Sequence, residues 1–161
     1  MTKYKGKPKK KKPGRPAKDH GTALEKLRVK GVFHLSDARK TGITRPTLLR
    51  LVQARQIEQL GHNLYKHPSV RLDPIEESFV IACNAFGKNA VVGGLSALAY
   101  YNLTEQVPSR IWLLVPYSTK SRSTLYRCIR TKTTPDKGVE QHNYFRITNM
   151  ERTIVEAIRY S

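Results

Sequence analysis

The sequence of 161 residues has few acidic residues, two cysteines and no long apolar run. Because no stretch of about 18 apolar residues occurs, we expect no membrane-spanning helix. The basic N-terminus is not followed by an apolar segment, so we expect no secretory signal. Cys83 and Cys128 both lie inside apolar runs. This pattern favours reduced, buried thiols in a cytoplasmic protein over a structural disulfide.

Acidic residues are the scarcest charged type. The chain has 12 Asp and Glu against 30 Lys and Arg, which gives a formal net charge of +18. Such an excess favours nucleic acid, because each neutralised phosphate releases condensed counterions. The net charge falls from +8 in residues 1–20 to +6 in residues 21–70 and +4 in residues 71–161. We therefore expect nucleic-acid contacts in the first 70 residues.

Residues suited to catalysis or to metal binding form no recognisable pattern. His34, His62 and His67 have no Cys or acidic residue at ligand spacing. Asp136 and Glu140 fall in a predicted loop, and no carboxylate–x–Lys pairing follows a predicted strand. We therefore expect no metal, no cofactor and no enzymatic activity. A nuclease is the weaker alternative.

Residues 1–20 have almost no apolar content and three prolines, so we expect a disordered basic tail. Within it, residues 13–16 are similar to the core of an AT-hook, in which an arginine lies in a narrow minor groove. Minor-groove reading and simple phosphate binding both remain open, and sequence-independent affinity is the firmer expectation. The DNA-contacting residues predicted in the tail are Lys9, Lys10, Lys11, Lys12 and Arg15.

Residues 21–70 predict a winged helix-turn-helix. A capping box at Thr22 and Glu25 predicts a helix from about Ala23 to Lys30, ended by Gly31 and followed by a short strand. The second helix is predicted to be capped by Ser36 and to end at Gly42. The third is predicted to be capped by Thr44, with Pro46 in its first turn. A β-hairpin that turns at Gly61-His62-Asn63 follows. Helix, turn, helix and hairpin in this order are typical of a shape that enters the major groove.

The third of these helices has the pattern of a recognition helix. Leu48, Leu51 and Val52 fall on one face, which predicts that this face packs into the core. The other face and the N-terminal tip predict base contacts, because Arg pairs with guanine and Gln with adenine. A solvated face without a ligand is the alternative. The DNA-contacting residues predicted here are Arg45, Thr47, Arg50 and Gln53, with Arg39, Lys40, His62 and Lys66 on phosphates.

Residues 71–161 predict a small mixed α/β domain, so that the chain as a whole is α+β. Asp73 caps a helix whose apolar stripe is Ile75, Phe79, Ala82, Cys83 and Phe86. A strand at 90–92 and a helix from Leu95 to Tyr101 follow, and three more strands are predicted at 111–115, 126–130 and 144–147. A capping box at 148–151 starts a last helix, with Ile154, Val155 and Ile158 on one face. We expect the chain to continue beyond Ser161.

Short segments in a particular order carry a resemblance to a known family. They are Gly31-Val32-Phe33, Gly42-Ile43-Thr44, Leu51-Val52-Gln53-Ala54, Leu64-Tyr65, Ser96-Ala97-Leu98, Ile111-Trp112-Leu113-Leu114-Val115-Pro116 and Glu151-Arg152-Thr153-Ile154-Val155. With them the chain from Ala23 to Ser161 resembles the AbiEi antitoxins of bacterial type IV toxin–antitoxin systems. The resemblance implies an N-terminal domain that binds inverted repeats at its own promoter and represses transcription. It also implies a C-terminal domain that opposes a nucleotidyltransferase-like toxin, directly or indirectly.

The sequence therefore predicts a transcriptional regulator of the bacterial cytoplasm that binds double-stranded DNA, with an antitoxin role implied by the resemblance. A homodimer, or two copies side by side, would suit an operator with inverted repeats. An RNA-binding or ribosome-associated protein is the main alternative, because the same charge suits RNA. The sequence lacks the aromatic stacking platform that reads single strands, which favours duplex DNA.

Overall fold

Six α-helices and two β-sheets make up the part of the chain that the computed structural model describes, residues 21–121, 123–132 and 136–160. The helices are α1 (Gly21–Lys30), α2 (Leu35–Lys40), α3 (Arg45–Gln53), α4 (Pro74–Phe86), α5 (Gly94–Tyr100) and α6 (Met150–Tyr160). The strands are β1 (Val32–His34), β2 (Glu58–Gly61), β3 (Leu64–Lys66), β4 (Val91–Val92), β5 (Ile111–Pro116), β6 (Tyr126–Thr131), β7 (Val139–Gln141) and β8 (Arg146–Thr148). The predicted α+β class is confirmed. None of these helices is both long and apolar enough to cross a membrane.

The predicted contacts of the basic tail concern residues outside the described ranges. These residues are Lys9, Lys10, Lys11, Lys12 and Arg15, together with the AT-hook-like stretch 13–16. Their DNA contacts remain predictions from sequence.

Residues 21–70, the first unit, fold three helices against a small antiparallel sheet. Its strand order is β1-β3-β2, with Phe33 opposite Tyr65 on the inner strand pair. The two rings stack with centroids 6.0 Å apart. Around them lies a core of fully or nearly buried residues: Leu27, Leu35, Ala38, Ile43, Leu48 and Ile57. The predicted helices and the predicted hairpin are all present, and Asn63 takes the positive φ of 56° at the turn.

Two of the predicted helix caps lie elsewhere. Helix α1 already includes Thr22, so this residue is not its cap, and the Glu25 carboxylate is bound by Arg28 instead. Helix α2 starts at Leu35, which puts Ser36 inside it. The His34 N–H donates to Asp37 Oδ2 at 3.0 Å, so His34 is the N-cap residue and an acid in the first turn satisfies its backbone N–H.

Residues 71–160, the second unit, form a five-stranded mixed sheet in the order β6-β5-β4-β8-β7. Strand β4 is antiparallel to β5 and parallel to β8, while β5 and β6 are parallel. Helices α4 and α5 contact β5, and α5 also packs against α6. The core contains Phe79, Val80, Ala82, Cys83, Ala90, Val92, Ala97, Leu113, Val115, Phe145 and Ile147.

The second unit departs from the sequence-based expectations in four places. Ile75 was expected on the buried stripe of α4 but is 51% exposed, because it lies in the first turn, beyond the edge of the core. Strand β7 was not predicted, and β8 begins at Arg146 rather than at Tyr144. The cap of α6 is Asn149, whose Oδ1 accepts from the Arg152 N–H at 3.0 Å, and Thr148 belongs to β8.

The two units share the hairpin of β2 and β3. On β3, Tyr65 belongs to the core of the first unit, whereas the neighbouring Leu64 belongs to the core of the second. Val32 and Leu60 pack against the second core as well. Because side chains alternate along a strand, one face of the small sheet covers each core.

Candidate nucleic-acid interface

Helix α3 is held by a tight turn after α2. Gly42 has a φ of 87°, which strongly favours glycine, and its N–H donates to Arg39 O at 3.0 Å. The Ile43 N–H donates to Ala38 O at 3.0 Å, and Ile43 is fully buried. Thr44 then takes an extended conformation at the N-cap, and its Oγ1 lies 3.0 Å from Thr47 Oγ1. The turn therefore fixes the direction in which α3 leaves the core.

The two faces of α3 differ as its sequence predicts. On the inner face Leu48 is fully buried, and Leu51 and Val52 pack partly buried against the same core. On the outer face Arg45, Arg50 and Gln53 are exposed, whereas Thr47 is half-buried. Leu49 also points outward and is 43% exposed. The helix thus presents two guanidinium groups and one amide to solvent.

The acids of the first unit are all engaged by cations. Glu25 pairs with Arg28 at 2.6 Å and Asp37 with Lys30 at 2.7 Å. Glu58 pairs with Lys66 at 3.0 Å, and these three are the only Asp and Glu in residues 21–70. The pairs neutralise cations on α1 and in the sheet. They leave Arg39 of α2 and the arginines of α3 without an ion pair among the described residues.

Residues 38–57 form an acid-free segment, which covers the end of α2, the turn and α3. It carries five cations: Arg39, Lys40, Arg45, Arg50 and Arg55. Among the described residues, none of the four arginines forms an ion pair. Lys40 lies 3.9 Å from Asp37 but is 80% exposed, so it stays available to a ligand. An unneutralised positive field therefore surrounds α3.

Arg55 was not among the predicted contacts. It is exposed, directly follows α3 and has a positive φ of 56°. The helical pattern of α3 did not identify Arg55, because this residue lies beyond the last residue of the helix. The absence of acid from residues 38–57 would have identified it.

Lys66 was predicted to contact phosphate, and this prediction is wrong. Its ammonium group lies 3.0 Å from Glu58 and 3.7 Å from Glu77, and the residue is only 8% exposed. The central strand β3 points this side chain toward α4 rather than toward solvent. His62, at the tip of the same hairpin, is exposed.

Asp37 anchors the start of α2. Burial would raise the pKa of Asp37, but hydrogen bonds from Lys30 and from the His34 N–H, with the charges of Lys30 and Lys40, hold it below its ordinary value. The carboxylate therefore remains ionised and keeps Lys30 in place. Arg39 and the arginines of α3 are not part of this network.

A cleft of about 450 Å³ lies between the two units. Its apolar floor includes Phe33 and Phe145, and Lys30, Asp37 and Arg146 lie on its wall. Two of the lining cations are engaged within the chain, Lys30 by Asp37 and Arg146 by Asp136 at 3.2 Å. Within the described ranges no three His, Cys, Asp or Glu side chains are grouped so as to hold a metal ion.

Both cysteines are free thiols; Cys83 is buried as predicted, whereas Cys128 is only partly buried. Burial raises the pKa of Cys83 to about 11, and burial also raises the pKa of Cys128. Neutral, partly or fully buried thiols of this kind are poor nucleophiles and poor metal ligands.

No family model matches the chain, and no curated protein matches it. Any ligand is therefore inferred from the geometry and charge of α3 and its neighbours.

Proposed function

We propose that residues 21–70 are a winged helix-turn-helix and that the protein binds double-stranded DNA in a sequence-specific manner to regulate transcription. The observation that carries this proposal is the acid-free segment. Its cations surround a helix that is anchored on its inner face by Leu48 and exposed on its outer face. Because helices enter the major groove with such an outer face, duplex DNA is the ligand that fits best.

The proposed mechanism assigns base contacts to α3. An α-helix with its side chains is about 10–12 Å across, which suits a major groove about 12 Å wide. Arg50 would donate two hydrogen bonds to guanine O6 and N7, and Gln53 would pair with adenine N6 and N7. Thr47 is half-buried and hydrogen-bonded to Thr44, so we assign it at most one contact to DNA.

Phosphate contacts surround this helix in the proposed complex. Arg39 and Lys40 lie before the turn, Arg45 at the tip of α3 and Arg55 behind it. His62 at the hairpin tip would meet the neighbouring backbone, as wings do in this class of domain. Contacts of this kind fix the register of the protein on the duplex, and the base contacts supply specificity.

Binding-site selection tests the proposal directly. The full chain is incubated with a pool of random duplexes, and the bound DNA is sequenced over several rounds. We expect one enriched motif, with affinity that falls steeply as salt increases. Folded RNA of equal length serves as competitor. An unenriched pool, or RNA that displaces the selected duplex at equal concentration, would overturn sequence-specific DNA binding in favour of the RNA alternative.

We further propose that the regulated promoter is the protein's own and that the protein acts as an antitoxin in the bacterial cytoplasm. This proposal depends on the resemblance of the short segments to AbiEi antitoxins. Its test is the neighbouring gene: a co-transcribed nucleotidyltransferase-like protein should arrest growth when expressed alone and not when expressed with this chain. Arrest that this chain does not relieve would remove the antitoxin role and leave the DNA-binding proposal intact.

A further inference from the structure

The cleft between the two units has the size and lining of a small-molecule site. Its volume of about 450 Å³ falls within the range of roughly 300–1,000 Å³ that is usual for ligand pockets, which lie preferentially at domain interfaces. Apolar side chains from both cores line it, among them Phe33, Leu64, Val80 and Phe145, and each of these is at most 3% exposed. The floor therefore offers an apolar ring a surface that neither unit provides alone.

The charged groups around this floor favour an anion. Lys30, Lys88 and Arg146 line the cleft together with one acid, Asp37, so the lining has a formal charge of +2 with histidine neutral. Asp37 holds Lys30 at 2.7 Å. Lys88, in contrast, is exposed and forms no ion pair with another described residue. The positive charge that remains is therefore on the side of the cleft that carries Lys88 and Arg146.

Arg146 is the lining group best placed to bind a carboxylate. Its side chain is 21% exposed, and it donates from Nη1 to Lys88 O at 3.3 Å and from Nη2 to Asp136 Oδ1 at 3.2 Å. These bonds use two of the five N–H donors of the guanidinium group. Asp136 is 74% exposed and is not among the residues that line the cleft, so its ion pair is weak. A carboxylate that enters from the cleft could replace Asp136 on a guanidinium group that is already oriented.

We propose that the cleft binds a small aromatic carboxylate, with its carboxylate on Arg146 and its ring on the floor beside Phe33 and Phe145. Asn84 also lines the cleft, and its side-chain amide forms no hydrogen bond with another described residue. This amide can therefore accept or donate a hydrogen bond to a further polar group of the ligand. A neutral molecule of the same shape would contact the floor but would lack the ion pair.

The position of the cleft connects this site with the first unit. Lys30 is the last residue of α1, and Asp37 lies in the first turn of α2, the helix that precedes the turn into α3. A ligand in the cleft would therefore contact the elements that lead to α3. An effect of the ligand on DNA binding rests on the proposed function, whereas the site itself does not.

Nuclear magnetic resonance of the isotopically labelled full chain, without DNA, tests the site. The probes are cinnamate and cinnamyl alcohol, which share a ring and a chain length but differ in charge. We expect cinnamate to shift the amide signals of cleft residues such as Asn84 and Arg146 in a saturable way. The alcohol should bind at least about tenfold more weakly, because it lacks a charge-assisted hydrogen bond. Signals that do not shift, or shifts confined to α3 and other surface cations, would overturn the proposal.

Three variants separate the ion pair from a loss of structure. Arg146→Gln should weaken cinnamate binding by about tenfold and leave the affinity for the alcohol unchanged. Arg110→Gln, at an exposed arginine outside the cleft, is the matched control and should alter neither affinity. Asp136→Asn should strengthen cinnamate binding by about two- to fivefold, because it removes the carboxylate that competes for Arg146.

Urea denaturation verifies that each variant folds. Equal weakening of both probes by Arg146→Gln would overturn the proposal, and so would cinnamate binding that Asp136→Asn does not strengthen. Since these measurements contain no DNA, their failure would leave the DNA-binding proposal standing. A loss of DNA binding would likewise leave the ligand site standing.

Discussion

At the scale of single residues, Lys66 is a cation that stabilises the fold instead of lying exposed at the surface. Its ammonium group joins the hairpin to α4 through Glu58 and Glu77, at 3.0 and 3.7 Å. The two carboxylates are 49 and 38% exposed, so part of the interaction is screened by solvent. A cation used in this way stabilises the junction of the two units and is lost to any ligand.

Lys66→Ala should lower the free energy of unfolding by about 2 kcal/mol, because it leaves two partly buried carboxylates without their partner. Urea denaturation measures this loss. Lys26→Ala is the control, since Lys26 is exposed and has no ion pair among the described residues. An equal stability in both variants would contradict a structural role for Lys66. DNA affinity of the folded fraction should be the same in both.

Arg50→Ala should reduce DNA affinity by about 1–3 kcal/mol at the matched base and relax specificity there. The reason is the loss of a two-bond contact to one base. Competition binding to the selected motif and to its single-base variants measures the effect. Arg28→Ala is the matched control, since Arg28 is an exposed arginine already held by Glu25 at 2.6 Å. Uniform weakening on every sequence would instead make Arg50 a phosphate contact.

At the scale of elements, the sequence predicted the periodic segments well and the polar details poorly. The inner face of α3 follows from Leu48, Leu51 and Val52, because burial of apolar side chains at helical spacing is local information. Strand β7 (Val139–Gln141) is short and exposes Glu140 and Gln141, so it carries no such pattern and forms only by pairing with β8. The outward face of α6 has the helical period, but the direction of that face depends on distant partners.

The start of α5 shows a constraint that a sequence does not reveal. Gly94 has a φ of 52°, and a Cβ at this position would lie 2.5 Å from Trp112 Cε3. The Trp112 ring carries the Arg127 guanidinium 4.2 Å from its centroid, so it cannot shift without losing that contact. Gly94 is therefore required for two reasons, its backbone conformation and the close approach of a ring.

Gly94→Ala should destabilise the protein by about 2–4 kcal/mol, through overpacking added to backbone strain. Gly87→Ala is the control, since Gly87 has a φ of 84° but nothing within 4 Å of the added methyl group. Gly87→Ala should show a smaller loss of stability, because only backbone strain contributes to it. Thermal unfolding monitored by the fluorescence of Trp112, the chain's single tryptophan, measures both variants. Equal losses would contradict the close contact.

At the scale of the whole molecule, charge has two separate effects. The paired acids stabilise the fold, whereas in the proposed complex the unpaired excess would set the affinity for DNA and its dependence on salt. Residues 1–20 contribute nine of the 30 cations and one acid. They contribute none of the base contacts that we propose for α3.

Deletion of residues 1–20 should weaken DNA binding on all duplexes and reduce the slope of affinity against salt, since fewer counterions are released. The preferred motif should stay the same. Binding titrations over a range of salt concentrations, on the selected motif and on a scrambled duplex, measure both quantities. A changed motif would instead support minor-groove reading by Arg15.

The lowered pKa of Asp37 predicts a loss of stability in acid. A carboxylate with a folded pKa below its ordinary value of about 4 stabilises the protein above that pH, and the contribution is lost as the pH falls through the folded pKa. Urea midpoints followed downward from neutral pH should therefore decline near that value. Asp37→Asn should flatten part of the decline. Glu25→Gln should flatten it less, because Glu25 is exposed although its hydrogen bond with Arg28 also lowers its pKa.

The hairpin of β2 and β3 makes the two units depend on each other, because one face of its sheet lies in each core. A DNA-binding unit that ends at residue 70 would leave Leu64, Leu60 and Val32 with nothing to cover them, although Tyr65 beside them would stay buried. The segment that we propose to read DNA therefore depends on the second unit to cover the opposite face of its sheet. Recombination between relatives would therefore preserve the two parts as a pair, and the chain should unfold in a single transition.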